Sequence, residues 1–453
     1  MGKLLRKRRQ RQSARTRDLS NLQGWLHARG AMWSPKITYA ANGVAGLGLG
    51  LVATKPLAAG EVLFVAPQGA RLASRDRGDT QRRTATKLLR EARRGARSRW
   101  RPFLRTLRPA ACPWTWSRKD RDLLDGTQLE AAVQLKVARL DAERPLVAEA
   151  LGARVSRRTY ATACAVVASH GPGALTPFAG ALNHGPGHVV LEEVDGQVIG
   201  RARHAVDRPG ELFTTYAYAH ARLIYEYGFV PEATGLLPED VVSVTLSIIT
   251  AACGDDETPV GRLLLLANAC DEAPWDGLSD VLACEIGAGG AGLARLVVCC
   301  FALDANALAL VPKLQRAPPA AAASSDAWAA SLAWAMVDGG EVADFQAIAA
   351  AHEDGDPWPH LLDACRVLDT KCFDNAVEIA TECLQARRNA LGADLPLREV
   401  LALETGEGEV VVQIAPPPPP GSPRHIARRL RSVERRLLDG ALAVLAVREG
   451  VLP

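Results

Sequence analysis

The chain has 453 residues, 48% of them apolar and 23% charged, with a net charge of +4. That length exceeds one ordinary hydrophobic core, so at least two domains are expected. No run reaches the roughly 18 uninterrupted apolar residues of a membrane-spanning helix, because "LARLVVCCFALDANALAL" is broken by Arg295 and Asp304, and ten cysteines without one C-x-x-C pair argue for buried thiols rather than a zinc cluster or disulfide framework.

Charge is unevenly placed. Met1–Arg17 holds eight Lys/Arg and no acid, and Arg71–Arg108 holds fourteen against three acids, which leaves the remainder acidic. The first tract reads equally as a solvated basic arm over residues 1–20 or as a nuclear-localisation or nucleic-acid patch. No apolar stretch follows it, so a secretory signal is not expected; the tract is Arg-rich and acid-free but poor in serine, which keeps a chloroplast address open beside the cytoplasm and nucleus. Aromatic interleaving is confined to Trp100 and Phe103, so nucleic acid is not the expected partner.

Foldable sequence begins at about Asn21, where "NLQGWLHARGA" spaces Leu22, Trp25 and Leu26 along one helix face ended by Gly30. "KITYAANGVAGLGLGLVATKPLAAGEVLFVAP" follows as a β-meander with a turn at Ala58-Ala59-Gly60. Within it, Gly46–Ala53 does not read as a dinucleotide fingerprint, since the third glycine leads into a second strand rather than a helix. Alternation instead places Leu47, Leu49 and Leu51 on one face and leaves bare backbone at Gly46, Gly48 and Gly50, which a ligand or a neighbouring strand can approach closely. Helical periodicity occupies residues 84–166, with Leu129, Ala132, Val133 and Leu135 to Val137 along one stripe, and strands return over Val189–Thr215.

Two stretches draw attention as chemistry. "LTPFAGALNHGPG" is an apolar run that stops at Asn183-His184 and gives way to glycine and proline. "GELFTTYAYAHARLIYEYGFVPEA" has a turn at Gly210-Glu211, a strand ending at Tyr216, and four of the six tyrosines of the chain (Tyr216, Tyr218, Tyr225 and Tyr227), a density that favours a site over plain packing. Beyond about Glu232 the sequence turns to Ala/Leu-rich helices, broken by Ala317–Ser325 and by Pro416–Pro420; the last, His425–Arg448, aligns Ile426, Leu430, Val433, Leu437 and Leu445.

Taken in order, "GLGLGLVATKPLAAGEVLFVAP", Trp100–Leu107, "LLDGTQL", Ser156-Arg157, "PFAGALNH" and "TYAYAHARLIYEYGFVPEA" resemble the SET-domain methyltransferases of the Rubisco large-subunit lysine methyltransferase type, a group that includes the actin-histidine methyltransferase. The resemblance covers about Asn21–Thr234. It implies an α+β fold in which a β-rich SET domain over residues 21–234, with a helical insertion at 84–166 and a knot-like crossing, precedes an all-α substrate-binding domain over 235–453. It also implies methyl transfer from S-adenosyl-L-methionine to a lysine or histidine of a protein substrate, by a monomer that needs no metal. Carried over residue by residue, Gly48, Leu49, Gly50, Asn183 and His184 would hold the cofactor. Tyr216 would place its hydroxyl near the sulfonium, Tyr227 would line the target channel, and Ser156-Arg157 would meet the substrate. Three positions depart from the family pattern: Gly180 stands in place of an aspartate, Ala217 in place of a glycine, and an asparagine is replaced near His220. These departures support a second reading, a SET-derived interaction module with a vestigial cofactor site.

Overall fold

The computed structural model describes residues 16–41, 49–73, 80–171, 174–216, 218–231, 236–245, 248–249, 252, 283–288, 292–293, 296–297, 300, 370–392, 400–404, 410–414 and 421–446. The chain divides into two compact units. One comprises Met1–Ser117, Lys136–Tyr218 and Arg222–Phe229; the other comprises Arg118–Leu135, Ala219–Ala221 and Val230–Pro453.

The first unit opens with helix α1 over residues 16–27, five residues earlier than the expected start, with Ser20 Oγ bonding back to the Thr16 carbonyl and Asp18 paired with Arg105. The rest of the basic arm lies outside the described residues. Leu22 and Leu26 are buried, and Gly30 takes the left-handed conformation (φ 75°) that releases the chain. Ten short strands follow: β1 Met32–Trp33, β2 Ile37–Ala40, β3 Gly50–Ala53, β4 Val62–Ala66, β5 Leu72–Ala73, β6 Ala174–Leu175, β7 Asn183–His184, β8 Val189–Val194, β9 Gln197–Ala202 and β10 Gly210–Thr214. They form sheets ordered β1-β4-β9-β8 and β2-β3-β10-β7, plus the pair β5-β6. Alternation decides which face each strand buries: Ile37 and Tyr39 in β2, Val198 and Ala202 in β9. All described pairings are antiparallel except β7 with β10, where Asn183 lies beside Phe213 and His184 beside Thr214.

Between β5 and β6 the chain inserts helices α2 (Thr80–Arg94), α3 (Leu129–Leu151) and α4 (Arg157–His170). Leu129, Ala132, Val133 and Leu140 are buried, but Leu135 is 45% exposed, so the α3 stripe skips it and continues on the 3.6-residue period. Helix α4 is buried nearly throughout from Tyr160 to Ala168.

Phe178 anchors this core. It is one of two non-glycine residues with positive φ (64°) among the described residues, a conformation that costs a bulky side chain on the order of 1–3 kcal/mol. Three rings hold it there: Phe64 at 4.9 Å, Tyr39 at 5.3 Å and Trp33 at 5.6 Å between centroids. Its backbone N–H donates to the buried Tyr39 hydroxyl at 3.0 Å.

The second unit is built on helices α5 (Thr370–Ala390) and α6 (Pro423–Ala446). On α5, Phe373, Ala376, Val377, Ala380 and Leu384 are buried at helical spacing; on α6, all five residues singled out from the sequence are buried. The helical character expected here is joined by two antiparallel pairs: β11 Val241–Thr245 with β12 Ala283–Gly287, and β13 Val400–Glu404 with β14 Val410–Ile414. β-branched residues in β11, β13 and β14 favour the pleat. Ala317–Ser325 and Pro416–Pro420 lie outside the described residues.

Residues 118–135, read from the sequence as part of the insertion, belong to this second unit through a buried polar network. Glu434, fully buried, accepts from Arg387 Nη2 at 2.6 Å and from the Gln128 N–H at 3.1 Å. Arg387 also donates to the carbonyls of Gly126 and Ser243, and Arg431 to those of Leu123, Asp125 and Leu391. Burial pushes the Glu434 carboxyl up to about 7, with Arg387 opposing that rise. Substituting Arg387→Leu strands this carboxylate, and the cost is expected to be about 3–5 kcal/mol at pH 8. The raised folded-state pKa sets the sign: loss of stability grows as pH rises through about 7 and shrinks toward pH 5, where Glu434 takes up a proton. Denaturant unfolding of wild-type and variant at both pH values measures it; a cost independent of pH would remove Glu434 as its source.

Candidate functional site

The site is assembled where β7 and β10 run in parallel. Asn183 Nδ2 donates to Glu211 Oε1 at 2.6 Å and to the Leu49 carbonyl at 3.3 Å, tying together three segments distant in sequence. Asn183 Oδ1 has no partner among the described residues. Glu211 is 5% exposed and belongs to strand β10, opposite Val52. The expected turn at Gly210-Glu211 is therefore the first part of that strand, because the chain extends straight into Leu212-Phe213-Thr214 with Leu212 buried. Glu211 was not singled out from the sequence; a charged residue in an apolar strand was the available signal.

His184 Nδ1 accepts from the backbone N–H of Tyr216 at 3.2 Å, which places the proton of a neutral imidazole on Nε2. The Tyr216 hydroxyl donates to the Leu182 carbonyl at 2.9 Å. Tyr216 is thus held to the β7 segment at both its backbone and its phenol. Its ring stacks on Tyr227 (4.4 Å between centroids, 28° between planes) and tilts against His184 at 5.2 Å. Phe229 returns to within 5.9 Å of His184, so the chain leaving β10 passes back over β7. Burial raises both tyrosine hydroxyls, so each keeps its proton at neutral pH.

Tyr227 is delivered by an unusual element. His220–Arg222 makes one α-helical turn and Leu223–Tyr227 continues as a π-helix, closed by Gly228 at φ 69°. The freed carbonyls find side chains: Trp114 Nε1 donates to Tyr225 O at 2.9 Å, and Cys112 Sγ to Glu226 O at 3.1 Å. Arg222 covers the Tyr218 ring at 3.9 Å and pairs with Glu226 at 3.1 Å.

A cleft of about 490 Å³ lies beside this cluster, lined by Tyr216, Tyr218, Tyr227, Gly180, Thr214 and His170, among others. Its wall also includes Glu192, paired with Arg201 at 3.1 Å, and Glu193, paired with Arg71 at 2.6 Å.

The remaining expected residues fall as follows. Leu49 joins the site through its carbonyl, Gly50 opens β3, and Gly46 and Gly48 lie outside the described residues. Ser156 and Arg157 are not brought to the tyrosines: Ser156 is exposed and caps α4 by accepting from the Thr159 N–H at 3.1 Å, and Arg157 pairs with Asp141 at 3.2 Å on the surface. A serine before an arginine-rich helix start is a capping signal, and capping is the role the structure gives it. His220, expected as a departure in the site, is 1% exposed and bonds Asp240 instead, through N at 2.7 Å and Nδ1 at 2.7 Å. Burial acts to raise Asp240, but the bonds from His220 and from the Leu237 N–H outweigh it and hold its carboxyl below the ordinary range. Ala217 lies outside the described residues. Among the described residues no cluster of three metal-ligating side chains occurs, and no helix is long and apolar enough to cross a membrane.

At Gly228 a Cβ would stand 2.4 Å from the Ala111 carbonyl carbon, in a backbone conformation that already disfavours any side chain. Gly228→Ala is expected to cost at least about 2 kcal/mol and to displace Tyr227. Thermal unfolding with near-ultraviolet circular dichroism checks this, and an unshifted midpoint would contradict the close approach.

No family model matches the sequence, and no curated protein does. Solved structures do. The SET domain of LSMT bound to lysine and AdoHcy shares 15% identity, with 96% of this chain and 92% of that chain covered at a TM-score of 0.58. Rubisco LSMT bound to AdoMet aligns at 15% identity, 95% and 92% coverage and a TM-score of 0.56. Rubisco LSMT bound to sinefungin and monomethyllysine aligns at the same identity and coverage with a TM-score of 0.57. The chain has the α+β fold of the Rubisco LSMT SET-domain structures.

Proposed function

We propose that this chain is an S-adenosylmethionine-dependent protein methyltransferase acting on a lysine side chain, with histidine as the alternative target. The observation that carries the reading is the stacked Tyr216–Tyr227 pair at the mouth of a cleft, with Tyr216 tied to the Asn183-His184 strand through its N–H and its hydroxyl. The solved structures of the same fold bind AdoMet, AdoHcy or sinefungin, and two hold lysine or monomethyllysine.

The residues present suit that cofactor. S-adenosylmethionine supplies a methyl group on a cationic sulfonium, which calls for oxygen acceptors and ring faces rather than a strong base. Asn183 and His184 would hold its amino-acid and adenine parts, with Asn183 Oδ1 as an acceptor. Tyr216 spends its proton on Leu182 and so presents lone pairs rather than O–H to the cleft. Tyr227, whose hydroxyl has no partner among the described residues, narrows the path of the incoming amine. The target nitrogen must arrive unprotonated, and desolvation within the aromatic cluster favours the neutral form. Leu49, Gly48 and Gly50 would lie along the cofactor by their backbone. The second unit would hold the protein substrate.

Calorimetric titration of the full chain with S-adenosylmethionine tests the assignment. Asn183→Ala is expected to weaken binding about tenfold, and to lower stability by about 1–3 kcal/mol because Glu211 loses its buried partner. Wild-type affinity in the folded variant would remove Asn183 from the site. In a methylation screen of cell extract with labelled cofactor, Tyr216→Phe is expected to lower turnover about a hundredfold while changing stability by roughly 1 kcal/mol. Near-full turnover would make Tyr216 structural and shift the role to Tyr227. A chain that binds no cofactor leaves the interaction-module reading standing.

A further inference from the structure

The arrangement above gives no role to His170, although it lines the same cleft as Tyr216, Tyr218 and Tyr227. It is the last residue of α4, and its Nδ1 lies 3.0 Å from the Val166 carbonyl and 3.0 Å from Ser169 Oγ. A carbonyl only accepts, so Nδ1 carries the proton and Nε2 presents a lone pair. The Ser169 hydroxyl donates to Ala165 O at 2.8 Å, so it faces the imidazole as an acceptor and agrees with that tautomer. No described residue bonds Nε2. Burial pushes the imidazole down to about 4, against a smaller opposing pull from Val166, which keeps the ring neutral at physiological pH.

Gly180 makes room for this ring. A Cβ built at position 180 would stand 3.0 Å from His170 Cδ2, closer than nearly all real contacts, so a side chain there would move the imidazole. At this point the wall of the cleft carries an uncharged acceptor. The carboxylates lining the cleft, Glu192 and Glu193, are already matched by Arg201 and Arg71.

We infer that His170 Nε2 accepts an N–H from an ammonium group bound in this cleft, contributed either by the α-amino group of S-adenosylmethionine or by the ε-amino group of a target lysine. The inference rests on the methyltransferase reading. A neutral acceptor aligns such a group without fixing its charge. A protonated imidazole would repel both candidates.

Two titrations on the full-length chain test it and separate the sources: S-adenosylhomocysteine alone, which retains the α-amino group, and free L-lysine added to that complex. His170→Phe keeps a ring and removes the acceptor, and it is expected to weaken one of the two ligands about tenfold, which names the source. His170→Gln restores an acceptor oxygen and should recover part of that loss, which a merely structural role would not give. Gly180→Ala displaces the ring without removing it and should weaken the same ligand by a smaller factor. Should His170→Phe fold and bind both ligands as tightly as wild-type, the inference fails. Where that variant does not fold, Gly180→Ala decides, and unchanged affinities overturn the proposal. A wild-type chain that takes up neither ligand overturns the methyltransferase reading, and the inference falls with it; wild-type uptake of S-adenosylhomocysteine with unaffected variants overturns the inference alone.

Discussion

The candidate site depends on one strained residue. Phe178 sits at φ 64°, where a phenylalanine is unfavourable, and three stacked or tilted rings with the Tyr39 hydroxyl keep it there. The geometry at Phe178 directs everything that follows within six residues. The short 3-10 turn Ala179–Ala181 places Gly180 against His170, Leu182 offers its carbonyl to Tyr216, and Asn183-His184 lie parallel to β10. The strain is offset by buried aromatic area rather than by the polar groups of the site. This separation of roles explains why an apolar run leads directly into Asn183-His184: the apolar residues hold the backbone, and the polar pair terminates it.

How much of this was legible in the sequence follows from the range of the interactions concerned. Strand alternation, the buried stripe of α6 and the tyrosine cluster are short-period features, and they appear where the pattern placed them. The π-helix at Leu223–Tyr227 was not legible. Its extra residue per turn is held by Trp114, Cys112 and the close backbone at Ala111, more than a hundred residues away, and nothing local in "LIYEY" announces it. Glu211 shows the same limit: in sequence it marks a turn beside Gly210, and only the antiparallel partner Val52 and the side chain of Asn183 make it a buried strand residue. At Ser156-Arg157 the local signal, a serine N-cap, is what the structure shows, away from the tyrosines.

Domain boundaries were blurred for a related reason. Composition changes near Glu232, yet Gln128, Gly126, Leu123 and Asp125 are bound by side chains of α5 and α6, and His220 is bound by Asp240. These are charge-assisted bonds to backbone groups, which leave almost no trace in hydropathy or periodicity. Arginine and glutamate on the buried side of α6 read as surface residues until their partners are known.

The three departures from the family pattern can be weighed by what each does to the polar inventory. At His220 the side chain is engaged with Asp240, a residue of the same unit, rather than with the tyrosine cluster. At Gly180 no carboxylate is present, and the His170 imidazole, whose Nε2 lone pair no described residue uses, packs against the bare backbone. The wall there offers one neutral acceptor lone pair and no formal charge. Tyr216, His184, Asn183 and Glu211 are each bonded to a neighbouring strand or loop, which fixes the cluster before any ligand arrives.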